Sequence, residues 1–235
     1  FGGSCLRESN DIEKISTIIK TQTGGKPAIV VSALWGVTDK LLRSLNDTQY
    51  TGKIVQDLIT QHLLFAPGLD KGIFGDKFNK VISGISKELV RLSTEEISLK
   101  SRNLILAAGE RLSALAVAHK LRDLGIDANP IGAEDIGLRL KGIGKSKQID
   151  IDESKNNLRY EMLIGIPVLT GWFGQGSDGE LAILTRGGSD HSAAAFANLL
   201  DAERVILWKD VDGIKMLNPR WGIDTPAIPY LGYGQ

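Results

Sequence analysis

The sequence predicts an α/β fold in which helices cover both faces of a parallel or mixed sheet. Short apolar runs rich in β-branched residues alternate with longer stretches whose apolar residues recur every three or four positions. Glycine, proline and polar residues mark the boundaries between these segments. No internal repeat or low-complexity linker divides the sequence, so we expect a single domain over residues 1–235.

Three apolar runs are predicted to be buried strands. The first, residues 27–32, lies between Gly25 and Gly36, and residues 166–170 and 204–208 have the same character. Each run is followed by polar, glycine-rich sequence. Because ligands in open α/β sheets bind beyond the carboxyl ends of the strands, functional residues are expected in those segments.

Four helices are predicted between and around these strands. One contains the apolar pattern from Leu112 to Leu121 and stops at Gly125, and another covers about 189–200. Residues 54–64 and 78–92 are predicted to form two more. The turn Pro67-Gly68 joins this pair, which resembles an inserted helical lobe.

Composition excludes several classes of protein. Hydrophobic residues make up 42% of the 235 residues and charged residues 24%, as in an ordinary globular protein. Lys plus Arg and Asp plus Glu number 28 each, so no bulk charge favours nucleic acid or an anionic membrane, and a small-molecule ligand fits better. No apolar run is long enough to span a bilayer. The single cysteine, Cys5, fits a reducing compartment, either cytosol or an organelle stroma.

Three features that suggest other chemistries fail in context. Residues 174–179 have the spacing of a dinucleotide-binding loop, but residues 180–184 look like a strand rather than the required helix, which favours a hairpin. Gly144-Lys145-Ser146 resembles the end of a Walker A loop, but Arg139 stands where that motif requires glycine. The three histidines lie far apart, with no Cys or carboxylate at ligand spacing, so no metal site is predicted at His62, His119 or His191.

Two glycine pairs are candidates for phosphate binding. Gly2-Gly3, followed by Ser4, would let backbone N–H groups approach a phosphate, although the same residues also suit a plain turn. Residues 186–190, Arg-Gly-Gly-Ser-Asp, precede a helix whose N-terminus attracts anions. Ser189 or Asp190 could instead cap that helix, but a cap does not require Arg186, whose planar guanidinium suits a carboxylate or phosphate.

Three further segments place polar residues near predicted strand or helix ends. Ser32 and Thr38 follow the first strand, and Thr38 could simply cap a helix. Glu110 is expected near the start of the Leu112 helix, where the helix dipole would stabilise its charge without any ligand. Residues 209–213 and 218–220 supply Lys, Asp and Arg of the kind that contact nucleotides, or they form a solvated loop.

Taken in order, these segments resemble aspartokinases, members of the amino acid kinase superfamily. The resemblance spans almost the whole chain. It rests on residues 1–4 (FGGS), 31–39 (VSALWGVTD), 109–113 (GERLS), 170–174 (TGWFG), 186–194 (RGGSDHSAA) and 208–220 (WKDVDG through NPR).

The resemblance implies a three-layer α/β/α sandwich with a largely parallel central sheet and a helical insertion. It also implies transfer of a phosphoryl group from ATP, with Mg²⁺ carried by the ATP phosphates, to the side-chain carboxylate of L-aspartate. This reaction is the first step towards lysine, threonine, methionine and isoleucine. The full-length protein is expected to form a homo-oligomer in the cytoplasm or the plastid stroma.

The site residues implied by the resemblance fall into three groups. Those expected around aspartate are Ser32, Thr38, Glu110, Arg186 and Ser189, with Arg186 on the α-carboxylate and Glu110 on the ammonium. Asp190 would organise lysines around the transferring phosphoryl group and, with Arg186, is the catalytic candidate. Those expected at the nucleotide are Gly2, Gly3, Ser4, Gly187, Gly188, Lys209, Asp210, Lys215 and Arg220. We expect Gly188 in particular to approach ligand closely or to adopt a positive φ.

The chain departs from the family pattern in some places. Relatives often have Thr at the position of Lys209 and Tyr at that of Lys215. The family's Lys-Phe-Gly-Gly start is represented here from Phe1, and a second lysine and the regulatory ACT modules are expected beyond Gln235. We therefore expect residues 1–235 to be an incomplete kinase domain without useful activity alone, because two cations of the phosphoryl-transfer site are missing.

Two alternatives stay open. The first is another amino acid kinase, of the acetylglutamate, glutamate or UMP type, since these share the glycine-rich loops. The second is a non-catalytic module that uses the same fold to bind ligand.

Overall fold

The computed structural model describes residues 1–22, 25–92, 94–144, 147–185, 187–211, 213–218 and 221–232. The helices within this part of the chain are α1 (Asp11–Gln22), α2 (Val37–Ser44), α3 (Thr48–Phe65), α4 (Gly75–Leu92), α5 (Leu99–Asp123), α6 (Ala133–Ile136), α7 (Ile151–Asn157) and α8 (Gly188–Leu199). The strands are β1 (Ile29–Val31), β2 (Ala128–Ile131), β3 (Arg139–Lys141), β4 (Gln148–Ile149), β5 (Ile166–Thr170), β6 (Phe173–Gly176) and β7 (Leu181–Ile183).

A parallel three-stranded sheet with the order β1-β5-β2 lies at the centre. Alternate residues of its strands face two different cores. Val31 and Val168 pack with α5 on one face, whereas Val30 and Leu169 pack with α8 on the other. The predicted layering, with helices on both faces of a parallel sheet, is therefore confirmed.

A second sheet, with the order β4-β3-β6-β7, is mixed. β3 and β6 are parallel, and the two outer pairs are antiparallel. β6 and β7 form the hairpin that the sequence predicts at residues 174–184, so these glycines do not open a dinucleotide-binding helix. Lys145 and Ser146 of the rejected Walker-like segment lie outside the described residues.

The helical hairpin α3–α4 is longer than predicted but has its turn at the expected place, after Pro67-Gly68. Its buried residues Leu58 and Phe78 belong to the same core as Val31 and Leu112. The insertion therefore packs into the main domain and has no separate core. None of the helices in the described part of the chain combines the length and apolar character needed to cross a membrane.

The predicted strand at residues 204–208 is wrong. These residues form no strand, and Val205, Ile206 and Leu207 are each about half exposed. Their apolar side chains line a cavity of about 530 Å³ that Ile29 and Val30 of β1 also line. An apolar pattern alone does not show which surface the residues face, and here they face a cavity rather than a neighbouring strand.

Candidate active site at the carboxyl edge of the central sheet

The carboxyl ends of the three parallel strands bring their following loops together. The Gly171 N–H, just after β5, donates to the Val31 carbonyl (2.9 Å). The Ala133 N–H, just after β2, donates to the Thr170 hydroxyl (2.8 Å), which is buried. Phe1 extends this edge, because its amino group donates to the Val30 carbonyl and its carbonyl accepts from the Ser32 N–H. Ser32 is thus held at the edge, as the sequence predicts for the residue after β1.

Glu110 reaches this edge from α5. Only 2% of its surface is exposed, and its Oε1 accepts a hydrogen bond from the Ala33 N–H at 3.3 Å. Gly109 makes this approach possible, because a Cβ at that position would lie 2.9 Å from the Ala33 Cβ and 3.2 Å from Leu41 and Val37 side-chain atoms. The glycine therefore lets α5 pack directly against the loop after β1.

The predicted position of Glu110 near a helix start is wrong. Ser98 caps α5 by accepting from the Ser101 N–H, and the helix starts at Leu99, three turns before Glu110. The helix dipole acts within the first turn and cannot stabilise a carboxylate in the middle of the helix. The apolar stretch from Ile105 to Ala108 continues the buried face of the helix upstream of the predicted start.

Burial raises the pKa of Glu110 to about 8, because the charged form loses its hydration and only the backbone N–H of Ala33 and its own N–H oppose this effect. Among the described residues, no hydrogen-bond partner satisfies its Oε2 atom. A buried, unsatisfied carboxyl oxygen at a strand-end loop is complementary to a cationic ligand group.

The N-terminus of α8 forms the opposite side of the edge. Its N-cap is Gly187, with φ of 81°, and no side chain of the described residues caps the helix. Capping therefore does not account for Ser189 and Asp190. Ser189 packs against Gly171, where an added Cβ would lie 2.9 Å from the Ser189 hydroxyl oxygen.

The positive φ that was considered for Gly188 is found at Gly187 instead. A Cβ on Gly188 would meet Leu184 at 2.6 Å and Trp172 at 2.8 Å, so protein packing already requires glycine there, and the close approach of a ligand to Gly188 stays a prediction.

Asp190 points towards the segment after residue 208. Its Oδ1 and Oδ2 accept from the Lys209 ammonium at 2.7 and 2.9 Å. A Cβ on Gly2 would lie 3.8 Å from the same Nζ atom. Gly2, Ser32, Ser189, Asp190 and Lys209 all line the 530 Å³ cavity. Four segments that lie far apart in the sequence, and that the sequence predicts at the site, are thus adjacent.

Comparison with known proteins agrees with this arrangement. The amino acid kinase family model matches residues 1–234. This chain belongs to the amino acid kinase family. It is 26% identical to "Aspartokinase 2, chloroplastic" of Arabidopsis thaliana, over all of this chain and 45% of that protein. It is also 26% identical to "Aspartokinase 3" of Bacillus subtilis, over 99% of this chain and 52% of that protein. The chain spans about half the length of these curated relatives.

Solved structures share the fold of this member of the amino acid kinase family. The crystal structure of E. coli aspartokinase III in complex with aspartate and ADP has a TM-score of 0.82 at 21% identity, over 94% of this chain and 50% of that one. Clostridium acetobutylicum aspartate kinase has a TM-score of 0.73 at 20% identity, over 97% and 50%.

The predicted nucleotide contacts divide between two places. Asp210 faces the N-terminal segment, where hydrogen bonding by Ser4 and the charges of Arg7 and Lys209 lower its pKa. Asp210 and Lys215 line a separate, open groove of about 570 Å³. Thr38 occupies the second position of α2, whose N-cap is Gly36, so Thr38 does not cap that helix.

Some predicted residues lie outside the described part of the chain. They are Arg186, Asp212, Pro219 and Arg220. Their roles stay predictions from the sequence. In the part of the chain that the structure describes, no three His, Cys, Asp or Glu residues are grouped so that they could hold a metal ion.

Two features of the site were not predicted as such. Trp172 has φ of 72°, a left-handed conformation that is uncommon for a bulky residue and is often found at functional sites. Its backbone N–H donates to the Ser192 hydroxyl, and its ring packs over Gly188.

Arg111, next to Glu110, forms an ion pair with Glu134. Burial raises the pKa of Glu134 despite the nearby guanidinium. The motifs containing Trp172 and Arg111 mark both places in the sequence, but spacing does not reveal a strained backbone or a long-range ion pair.

Proposed function

We propose that this chain is the kinase domain of an aspartokinase, which transfers the γ-phosphoryl group of ATP to the side-chain carboxylate of L-aspartate and yields 4-phospho-L-aspartate. The proposal rests on the buried carboxyl group of Glu110 beside the Ser32 loop, where one oxygen has no hydrogen-bond partner within the described part of the chain. Sequence similarity to plant and bacterial aspartokinases supports it. So does the fold shared with an E. coli enzyme crystallised with aspartate and ADP.

Glu110 would select a substrate with a free amino group. A carboxyl group with a pKa near 8 is mostly neutral at pH 7, and an approaching ammonium would stabilise its ionised form. Acetylglutamate and UMP have no ammonium to offer. The site therefore favours an amino acid with a free amino group over these two acceptors.

Other residues would orient the amino acid so that its side-chain carboxylate faces the phosphoryl group. Ser32 and Ser189 both line the cavity and supply hydroxyl groups, and Thr38 follows on α2. Arg186 is assigned to the α-carboxylate, because its planar fork suits bidentate binding. Arg186→Lys should accordingly raise KM for aspartate far more than KM for ATP.

The phosphates would lie against backbone N–H groups. Gly2 and Gly3 on one side and Gly187 and Gly188 at the start of α8 on the other have no side chains to block that approach. Ser4, Asp210, Lys215 and Arg220 would contact the rest of the nucleotide. Mg²⁺, arriving with ATP, would neutralise phosphate charge, while the protein aligns the two substrates.

The wider setting follows from the proposed reaction. We propose that the product serves lysine, threonine, methionine and isoleucine biosynthesis, and that the full-length protein is a homo-oligomer of the cytoplasm or plastid stroma. Chloroplastic and bacterial relatives support either compartment.

A hydroxylamine-trapping assay of the full-length protein tests the proposal. With Mg²⁺ and ATP, aspartate should yield acyl hydroxamate, whereas glutamate and N-acetylglutamate should yield little, and UMP should not be converted to UDP in a parallel assay. Preferential conversion of any other acceptor would contradict the assignment of aspartate.

A thermal shift series separates the kinase from a binding module. Binding stabilises a protein by RT ln(1 + [L]/Kd), so aspartate and ATP should each raise the melting temperature. Stabilisation by both ligands without any phosphorylated product would support the non-catalytic alternative and overturn the proposed activity.

A further inference from the structure

Lys209 lies in the part of the site where phosphates are expected. Its ammonium contacts both carboxylate oxygens of Asp190, in the first turn of α8, and lies close to Gly2 on the other side. The Lys209 side chain is 37% exposed, so its charge is directed into the cavity edge rather than fully into solvent.

The backbone around Lys209 is held in place from the N-terminal side. The Trp208 ring stacks on Phe1 with an interplanar angle of 9°, and the Trp208 carbonyl accepts from the Gly2 N–H. Asp210 is paired with Arg7 at 3.1 Å. These contacts hold the backbone on both sides of Lys209, whose ammonium contacts Asp190 of α8.

Lys209 lines a different cavity from Asp210 and Lys215, two of the predicted nucleotide contacts. Lys209 lines the cavity that also contains Ser32 and Ser189, the predicted aspartate ligands. Asp210 and Lys215 line the other groove. Lys209 thus lies with the residues that would hold the phosphoryl acceptor, not with those that would hold the outer nucleotide.

We propose that Lys209 is a catalytic residue whose ammonium contacts the transferring phosphoryl group, and that Asp190 is the residue that positions it. This inference rests on the proposed kinase function. The sequence alone assigns Lys209 to the nucleotide, at a position where relatives often have threonine.

The reaction explains why a cation is needed at this position. A carboxylate oxygen of aspartate forms a bond to the γ-phosphorus, and the bond from that phosphorus to the β,γ-bridging oxygen breaks, with its electron pair leaving on ADP. Both reacting groups are anionic, so an ammonium next to the phosphoryl oxygens reduces their repulsion. Lys209 keeps its protons throughout, and Asp190 holds the ammonium in place before the phosphates arrive.

Kinetics of the full-length protein test the proposal with three variants. Lys209→Met should lower kcat by about 10²–10³-fold, as expected for loss of one electrostatic contact in the transition state, with little change in KM for aspartate. Lys209→Arg, which keeps the charge, should retain at least about tenfold more kcat than Lys209→Met. Lys100→Met is the matched control, because Lys100 forms a 2.7 Å ion pair with Glu180 away from the site and should leave kcat unchanged.

Several kinetic outcomes would overturn the proposal. They are an unchanged kcat with a raised KM for ATP in Lys209→Met, equal losses in the Met and Arg variants, or an equal loss in Lys100→Met. Melting temperatures within a few degrees of the wild-type value should exclude unfolding as the cause of any loss.

A binding measurement keeps the inference separate from the proposed function. The wild-type protein should bind a non-hydrolysable ATP analogue more tightly than ADP, and Lys209→Met should reduce that preference at least about tenfold because it removes a contact to the third phosphate. Equal weakening of both ligands would overturn the inference. If the wild-type protein does not phosphorylate aspartate, the proposed function fails, while this binding ratio still decides whether Lys209 contacts the γ-phosphate.

Discussion

The two carboxylates of the site, Glu110 and Asp190, lie in opposite environments. Glu110 is enclosed by α5 and the loop after β1, with 2% of its surface exposed and one hydrogen bond from Ala33. The Asp190 side chain is 40% exposed and forms an ion pair with Lys209. The Glu110 carboxyl group can therefore gain a positively charged partner from a ligand, whereas Asp190 already has the Lys209 ammonium beside it.

This difference assigns the two carboxylates to different tasks. A buried carboxyl group without a cation has a raised pKa and gains most when a charged ligand arrives. An exposed carboxylate with a lysine gains little stability from the pair, because water screens it, but the pair can fix where the lysine points. We expect Glu110 to act in substrate recognition and Asp190 in alignment.

The largest expected effect is on aspartate recognition. In the full-length protein, Glu110→Gln should lower kcat/KM for aspartate at least about 30-fold, because the substrate ammonium would lose its buried charged partner, a loss of about 2–5 kcal/mol. Steady-state kinetics with each substrate varied should show the change mainly in KM for aspartate. An unchanged KM for aspartate with a raised KM for ATP would show that Glu110 acts on the nucleotide and not on aspartate.

The next effect concerns how α5 delivers Glu110. Gly109→Ala should destabilise the protein by about 1–3 kcal/mol, because the new Cβ would lie 2.9 Å from the Ala33 Cβ. Gly84→Ala is the matched control in the middle of α4, where nothing lies within 4 Å of the added Cβ. That variant should be neutral or stabilising, by up to about 1 kcal/mol. Urea unfolding of both variants measures the contrast, and equal responses would refute the close-packing explanation.

A pH-dependent effect on stability follows from the raised pKa of Glu110. Below the ordinary value of 4.5, Glu110 is neutral in both the folded and the unfolded protein, so burial of the neutral group contributes its full stability. As the pH rises towards about 8, the unfolded chain ionises first and this contribution is progressively lost. The stability of Glu110→Gln relative to wild type should therefore grow with pH, by up to about 1.4 kcal/mol per pH unit. A flat difference between pH 5 and pH 8 would show that Glu110 titrates normally.

The smallest expected effect is on the stability of the exposed pair. Asp190→Asn should change the free energy of unfolding by less than about 1 kcal/mol, because surface ion pairs contribute little. The same variant should lower kcat, since Lys209 would lose the group that positions it. Denaturant unfolding and steady-state kinetics of the same Asp190→Asn preparation measure the change in free energy of unfolding and the change in kcat. A large loss of stability would show that Asp190 is mainly structural.

The sequence predicts the parts of this fold that local patterns determine. β1, β5, α8 and the α3–α4 hairpin appear where apolar periodicity and glycine placement indicate them. The strand predicted at residues 204–208 fails because the same apolar pattern suits residues lining a cavity, and which surface they face depends on segments distant in sequence.

The chemistry of the site was only partly predictable for the same reason. Glycine pairs and hydroxyls after strand ends could be found by inspection, and they lie at the edge as expected. The burial of Glu110 depends on Gly109 fitting against Ala33, 76 positions away along the chain. The Lys209–Asp190 pair likewise joins residues on different elements. Both features depend on three-dimensional packing between distant segments, which the spacing of residues in the sequence does not reveal.

Proton release on aspartate binding tests the central assignment most directly. The measurement is titration calorimetry of the full-length protein at pH 7, in buffers of different ionisation enthalpy. Aspartate binding should release nearly one proton, because the bound ammonium stabilises the charged form of Glu110 over its neutral form. Glu110→Gln should release none. Aspartate binding by the wild-type protein without proton release, or equal release by wild type and Glu110→Gln, would contradict the assignment of Glu110 as the buried receptor of the substrate ammonium.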